Sequence, residues 1–180
     1  MDNKIKTEQD VIFGMVAKKL QCRYPDKSLS ITYPSPLVIE DLDTLQEQGK
    51  LSWKASIKSG IMLTIDQVHP VKLVVYYRNV PVGYAFGGYK EHLETLEISW
   101  LEKRKDAHPD LNYQMLGLTL DSYAAYAAFL IKKGKPVKQI ALVSPVEDVK
   151  PYYKKQGFKY TETYDGYTEA MIFEHKNIVV

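Results

Sequence analysis

A helical run between two apolar strands constrains this chain more than any other feature. Leu116, Leu120, Tyr123, Ala124, Ala127, Leu130 and Ile131 fall at three- and four-residue steps, and Gly134 stops the run. A strand precedes it at residues 93–102 and a short apolar strand follows at 137–143. A strand, a long helix and a second strand in succession form a crossover, which joins parallel neighbours. The segments upstream pair as antiparallel hairpins by their pattern. Together these requirements predict an α/β (α+β) fold: a central mixed, mostly antiparallel sheet flanked by helices on both faces.

Val71-Lys72-Leu73-Val74-Val75-Tyr76-Tyr77 is β-branched and aromatic, and Arg78-Asn79-Val80-Pro81 interrupts it. Val82-Gly83-Tyr84-Ala85-Phe86-Gly87-Gly88-Tyr89 resumes it, so the two predict a hairpin. In the third strand, alternation puts Leu96, Ile98 and Trp100 on one face and Thr95, Glu97 and Ser99 on the other. Two helices are expected before this meander. Thr7 and Asp10 resemble a cap ahead of Val11, Ile12, Met15, Val16 and Leu20, with Pro25 and Asp26 ending the unit. The second helix runs from Pro36 through Leu37, Ile39, Leu42 and Leu45 to Gly49, and from Leu51 the texture turns strand-like. After the crossover, Pro145 opens a helix with Glu147 and Asp148 in its first turn, and Gly157 closes it. Residues 158–161 and 170–173 then pair as strands around Asp165-Gly166.

The 180 residues suit one domain, 1–180, and no repeat, low-complexity block or linker divides them. Lys and Arg number 24 against 22 Asp and Glu, a net charge of +2, which gives no basic field for nucleic acid or anionic lipid. No apolar stretch reaches the ~18 residues of a membrane span, and the polar Met1-Asp2-Asn3-Lys4 start is no signal peptide. The lone Cys22 cannot form an internal disulfide, so a cytoplasmic location is expected, and Cys22 itself reads as a small buried or incidental residue. His69, His92, His108 and His175 lack ligand spacing, so no metal is expected. The tyrosines at 76, 77, 84, 89, 123 and 126 suit a substrate cleft or a sheet–helix core, of which the core is commoner.

Val80-Pro81-Val82-Gly83-Tyr84, Gln114-Met115-Leu116-Gly117-Leu118-Thr119 and Tyr153-Lys154-Lys155-Gln156-Gly157-Phe158 carry a family resemblance. They are similar to the g-x-x-v-G-y opening of the third strand, the (R/Q)-x-x-G-x-(G/A) acetyl-CoA loop and the Y-x-x-x-G-F signature of the GNAT superfamily of N-acetyltransferases. The likeness covers residues 71–173 or so, and the last motif is the best match. Thr119 stands where the family has a small residue, and no arginine precedes Gly117 at the usual spacing. The connection 103–112 is longer and more polar than usual, and Ser144 and Pro145 stand where an asparagine often occurs.

The resemblance implies transfer of an acetyl group from acetyl-CoA to a primary amine by direct attack. Acetyl-CoA and an amine-bearing acceptor would be the partners, with no membrane or nucleic acid, and with a homo-oligomer left open. Free N–H groups at the head of the long helix suit a diphosphate, which makes Gln114, Leu116, Gly117 and Thr119 the cofactor residues. The resemblance places the carbonyl-polarising N–H near Ile98, Ser99 or Trp100, where the third meander strand splays from its neighbour. Tyr153 would protonate the departing thiolate. Glu97 is the candidate base, with Glu94 and Glu102 as alternatives, and a charge pair with a lysine is the competing reading for each. A catalytically silent binding or regulatory module of the same fold is the rival, and Thr119 and the long connection favour it.

Overall fold

The computed structural model describes residues 2–60 and 66–174. Helix α1 (Asp2–Leu20) leads to a short edge strand β1 (Ser30–Thr32), then to α2 (Pro36–Glu47) and the four-residue α3 (Ala55–Lys58). Strands β2 (His69–Tyr77), β3 (Val80–Lys90) and β4 (Thr95–Lys103) form the meander, and α4 (Met115–Lys132) crosses over to β5 (Gln139–Val143). Helix α5 (Lys150–Lys155), β6 (Lys159–Thr161) and β7 (Ala170–Glu174) finish the chain. The sheet order is β1-β2-β3-β4-β5-β7-β6. Only β4 and β5 are parallel among these pairs, as the crossover demands.

Helices cover both faces. On one, α1 and α4 bury Phe13, Ala17, Leu116, Tyr123, Tyr126 and Leu130 against Val71, Leu73, Leu96 and Ile98. On the other, Leu42, Leu45, Leu51 and Ala55 pack on Val74, Tyr84 and Phe86. Ser35 caps α2 by accepting from the Val38 N–H, and Pro36 sits in its first turn, where its missing donor costs nothing. Strand β1 covers β2 only from Val74 to Tyr76, which leaves the start of that edge open. The fully buried Gln9 of α1 fills the gap: its amide donates to the Pro70 carbonyl (2.8 Å) and accepts from the Lys72 N–H (3.0 Å). Two backbone groups that burial would otherwise strand are thereby satisfied.

Several expectations are corrected. Helix α1 starts at Asp2, and Thr7 lies inside it with Oγ1 donating to the Asn3 carbonyl (2.8 Å), so it is no cap. The edge strand β1 was not expected. The stretch after Leu51 makes bends and α3 rather than a strand, and 61–65 lies outside the described residues, as does His175. Helix α5 begins at Lys150 with Pro151 in its first turn; the segment behind Pro145 makes a 3-10 turn at Glu147–Val149. There Glu147 binds Lys150 Nζ at 2.6 Å instead of facing a helix dipole. Cys22 is exposed. Among the tyrosines, those at 77, 84, 89, 123 and 126 are buried in the core. No helix among the described residues is long and apolar enough to cross a membrane.

His69 opens β2, buried between Tyr89 and Tyr126, with Nε2 2.9 Å from the Tyr126 hydroxyl. Burial pushes its pKa down from 6.5 to about 4, and Lys135 adds to the effect. The folded state therefore binds the proton less readily than the unfolded chain, and this contribution to stability is present above pH 6.5 and lost as pH falls toward 4. Denaturant melts across that window should show a loss on the order of 2 kcal/mol attributable to this residue. His69→Gln should flatten that part of the profile, and an unchanged slope would remove His69 as its source.

Candidate active site

Antiparallel pairing of β3 and β4 slips by one residue at the middle of β4: Gly87 pairs with Ile98 and Phe86 with Trp100, leaving Ser99 as a bulged extra residue. A Cβ placed on Gly87 would lie 1.8 Å from the Glu97 carbonyl oxygen, so only glycine permits this approach. The bulge resets the alternation. Leu96, Ile98 and Leu101 point to the α1/α4 face, whereas Trp100 joins the opposite cluster with Tyr84 and Phe86. Trp100 thus does not share a face with Leu96 and Ile98. Parallel pairing of β4 with β5 runs from Thr95 to Ile98 and stops there. Beyond Ile98 the two strands part.

A cleft of ≈ 650 Å³ occupies the divergence. Leu101, Glu102 and Lys103 form its β4 wall, Tyr113, Met115 and Leu116 the mouth of α4, and Val149, Tyr152 and Tyr153 the α5 side. No side chain caps the amino end of α4. Its first intrahelical bond is Leu118 N–H to the Gln114 carbonyl (2.9 Å), so the N–H groups of Met115, Leu116 and Gly117 precede the ladder. Tyr113 beside them takes a left-handed φ of 59° and stands exposed.

The predicted residues divide. Tyr153 and Leu116 line the cleft. Gly117 is exposed in the first turn of α4, with nothing within 4 Å of an added Cβ. Gln114 holds the N-cap position, but its side chain accepts from the Tyr24 hydroxyl (3.4 Å) and donates to the Asn112 carbonyl (3.3 Å). Thr119 is fully buried, and its hydroxyl donates to the Met115 carbonyl (2.8 Å), so it is not aimed at the mouth as a donor. Ile98 and Ser99 sit at the parting point, and Ser99 Oγ has no hydrogen-bond partner among the described residues.

Glu97 does not line the cleft. Its side chain, fully buried, lies on the other face of β4, where Oε2 accepts from Gln67 Nε2 (2.7 Å) and Oε1 stands 3.7 Å from Lys90 Nζ. Lys90 reaches on to Asp165 at 3.5 Å, tying the β6–β7 loop to the sheet. The expected lysine pair exists here, buried rather than exposed. Glu94 pairs with Lys138. Glu102 borders the cleft, yet its carboxylate accepts from the Ser52 N–H (2.5 Å), the Trp53 N–H (3.3 Å) and the Tyr84 hydroxyl (3.1 Å). Sequence reasoning missed Lys103, Tyr113 and Tyr152 as cleft residues. For Lys103 the signal was present, since it directly follows the strand expected to splay.

Tyr153 is packed between Tyr152 and Phe158, with ring centroids 5.8 Å away in each case. Burial raises its pKa, helped by the neighbouring Tyr152, so the phenol keeps its proton at neutral pH. Its hydroxyl has no hydrogen-bond partner among the described residues. Gly157, at φ 93°, turns the chain so that Phe158 returns under Tyr153.

Gly87→Ala should force the strands apart at the bulge, with a loss of about 1–3 kcal/mol in denaturant unfolding. A melt within about 0.5 kcal/mol of wild type would show that the close approach is dispensable.

No family model and no curated protein matches the chain. Solved structures do. An acetyltransferase from Thermus thermophilus is 15% identical over 81% of this chain and 96% of its own, with a TM-score of 0.55. An aminoglycoside 6'-N-acetyltransferase complexed with coenzyme A is 13% identical over 83% of this chain and 97% of its own, at 0.52. The ribosomal-protein-S18-alanine N-acetyltransferase of Escherichia coli is 12% identical over 80% and 90%, at 0.51. The element order and the seven-stranded mixed sheet flanked by helices are thus those of the GNAT N-acetyltransferase fold.

Proposed function

We propose that this chain is an N-acetyltransferase that moves the acetyl group of acetyl-CoA onto a primary amine by direct attack. One observation carries the reading: an uncapped helix start and a protonated tyrosine meet in one cleft where two parallel strands part. The fold neighbours named above are N-acetyltransferases or an acetyltransferase, and one of them is complexed with coenzyme A, which supports it.

The N–H groups of Met115, Leu116 and Gly117 would receive the pyrophosphate at the positive end of the α4 dipole, with the Lys103 charge on the facing wall. The pantetheine arm would run along Leu101 and Leu116 toward the parting point. There the amine lone pair attacks the thioester carbon and a C–N bond forms. The oxyanion falls to backbone N–H groups around Ile98, Ser99 and Trp100. Collapse breaks the C–S bond; Tyr153 gives its proton to sulfur and recovers one from water, while the nitrogen releases its own proton to water. The proposed setting is the cytoplasm, on the strength of the single cysteine.

Thr119 is the main sequence argument for a silent module. Its burial and its bond to Met115 keep its hydroxyl inside the helix, away from the phosphate's approach.

Acetyl-CoA at a hundred times its dissociation constant should add about 2.7 kcal/mol to stability, or roughly 5–10 °C in Tm for a chain this size. No shift at millimolar concentration would leave the silent module standing. Tyr153→Phe should keep that shift while lowering kcat on the order of 10²-fold. Unchanged acetyl transfer near neutral pH would remove Tyr153 from its role.

A further inference from the structure

Trp53 and Trp100 are the chain's two tryptophans. They meet edge to face, with centroids 5.4 Å apart and planes at 72°. The Lys58 ammonium stands 3.8 Å from the centroid of Trp100 and 5.9 Å from that of Trp53. No carboxylate among the described residues pairs with Lys58, so the rings are what its charge contacts. Trp100 Nε1 is buried without an acceptor among the described residues. Trp100 also follows the bulged Ser99, so the pair stands behind β4 beside the point where β5 stops pairing. A smaller cavity of ≈ 180 Å³, lined by Lys58, Gln67, Lys72, Phe86 and Gly87, continues from Lys58 along the same face.

We propose that the Trp53–Trp100 pair is a seat for an organic ammonium ion, occupied by Lys58 until a ligand displaces it, and that the acceptor is a diamine or polyamine docking one charged nitrogen there. The choice of acceptor rests on the acetyltransferase reading; the seat does not. Aromatic faces stabilise a cation, whereas the attacking nitrogen must be neutral. The nitrogen over the rings is therefore not the one acetylated, and a second amine on the same molecule has to reach the thioester. Exchange of one ammonium for another preserves the charge over the ring. Lys58, half-buried at the end of the four-residue α3, has water as its alternative.

Because both tryptophans belong to the seat, tryptophan fluorescence reads it directly. Choline should change the emission of the wild-type chain saturably, and its neutral isostere 3,3-dimethylbutan-1-ol should not. Lys58→Ala removes the built-in competitor, and if Lys58 fills the seat nine-tenths of the time, choline should bind roughly tenfold tighter. Trp100→Leu, with Trp53 as reporter, should lose the response; if it fails to fold, the Lys58 variant decides alone. An equal response to the alcohol, or weaker or unchanged choline binding by Lys58→Ala, overturns the seat. In turnover with acetyl-CoA, 1,4-diaminobutane should outpace n-butylamine in kcat/KM, and the reverse order overturns the acceptor class. Choline binding of the expected pattern with no acetyl-CoA melt shift refutes the transferase reading alone, whereas the shift without choline binding refutes the seat alone.

Discussion

At Gly87 the backbones of β3 and β4 come closer than any side chain permits, and the rest of the cleft is geometry that follows from that approach. With the Glu97 carbonyl lying where a Cβ would stand, β4 accommodates Ser99 as an extra residue. The extra residue turns Trp100 to one face and Leu101 to the other. It also coincides with the last parallel pair at Ile98, past which β4 and β5 separate and α4 presents its open end to the gap. One missing side chain thus bears on the bulge at Ser99 and, through it, on the face to which Trp100 turns.

The architecture was legible because it follows from patterns with strong physical causes. The crossover from β4 through α4 to β5 dictates a parallel pair, and the apolar period of α4 fixes which of its faces is buried. The bulge was not legible. Alternation over residues 95–102 is consistent with a regular strand, and only the reset at Ser99, set by packing against β3, puts Trp100 with Tyr84 and Phe86. The edge strand β1 escaped because it has three residues; the alternation of buried Leu29 and Ile31 ahead of Pro34 is its faint signal. At the site, the spacing of Tyr153 from Gly157 and Phe158 reflects one helical turn and its left-handed stop, which sequence records well. The positions of Glu97 and Thr119 depend on which face each residue meets, and a motif read in one dimension does not carry that.

The fate of the carboxylates bears on how an acceptor amine could lose its proton. Glu97 lies behind the strand with Gln67 and Lys90, and Glu94 pairs with Lys138. Glu102, the carboxylate on the cleft wall, accepts two backbone N–H groups and the Tyr84 hydroxyl, so it holds the 51–53 segment in place. Those three donors occupy the carboxylate, which commits it to the 51–53 segment and to Tyr84 rather than to an acceptor in the cleft. Direct attack, as proposed, then draws on the neutral fraction that the amine itself supplies, with water as the proton's destination. Under that chemistry the protein would contribute most by position: it would aim the thioester with the helix start and bring the nitrogen to the parted strands, with the Tyr153 phenol kept protonated by burial. An anchor for a second charge on the acceptor fits such an enzyme well, because holding one ammonium away from the reacting centre costs nothing in the neutrality of the other.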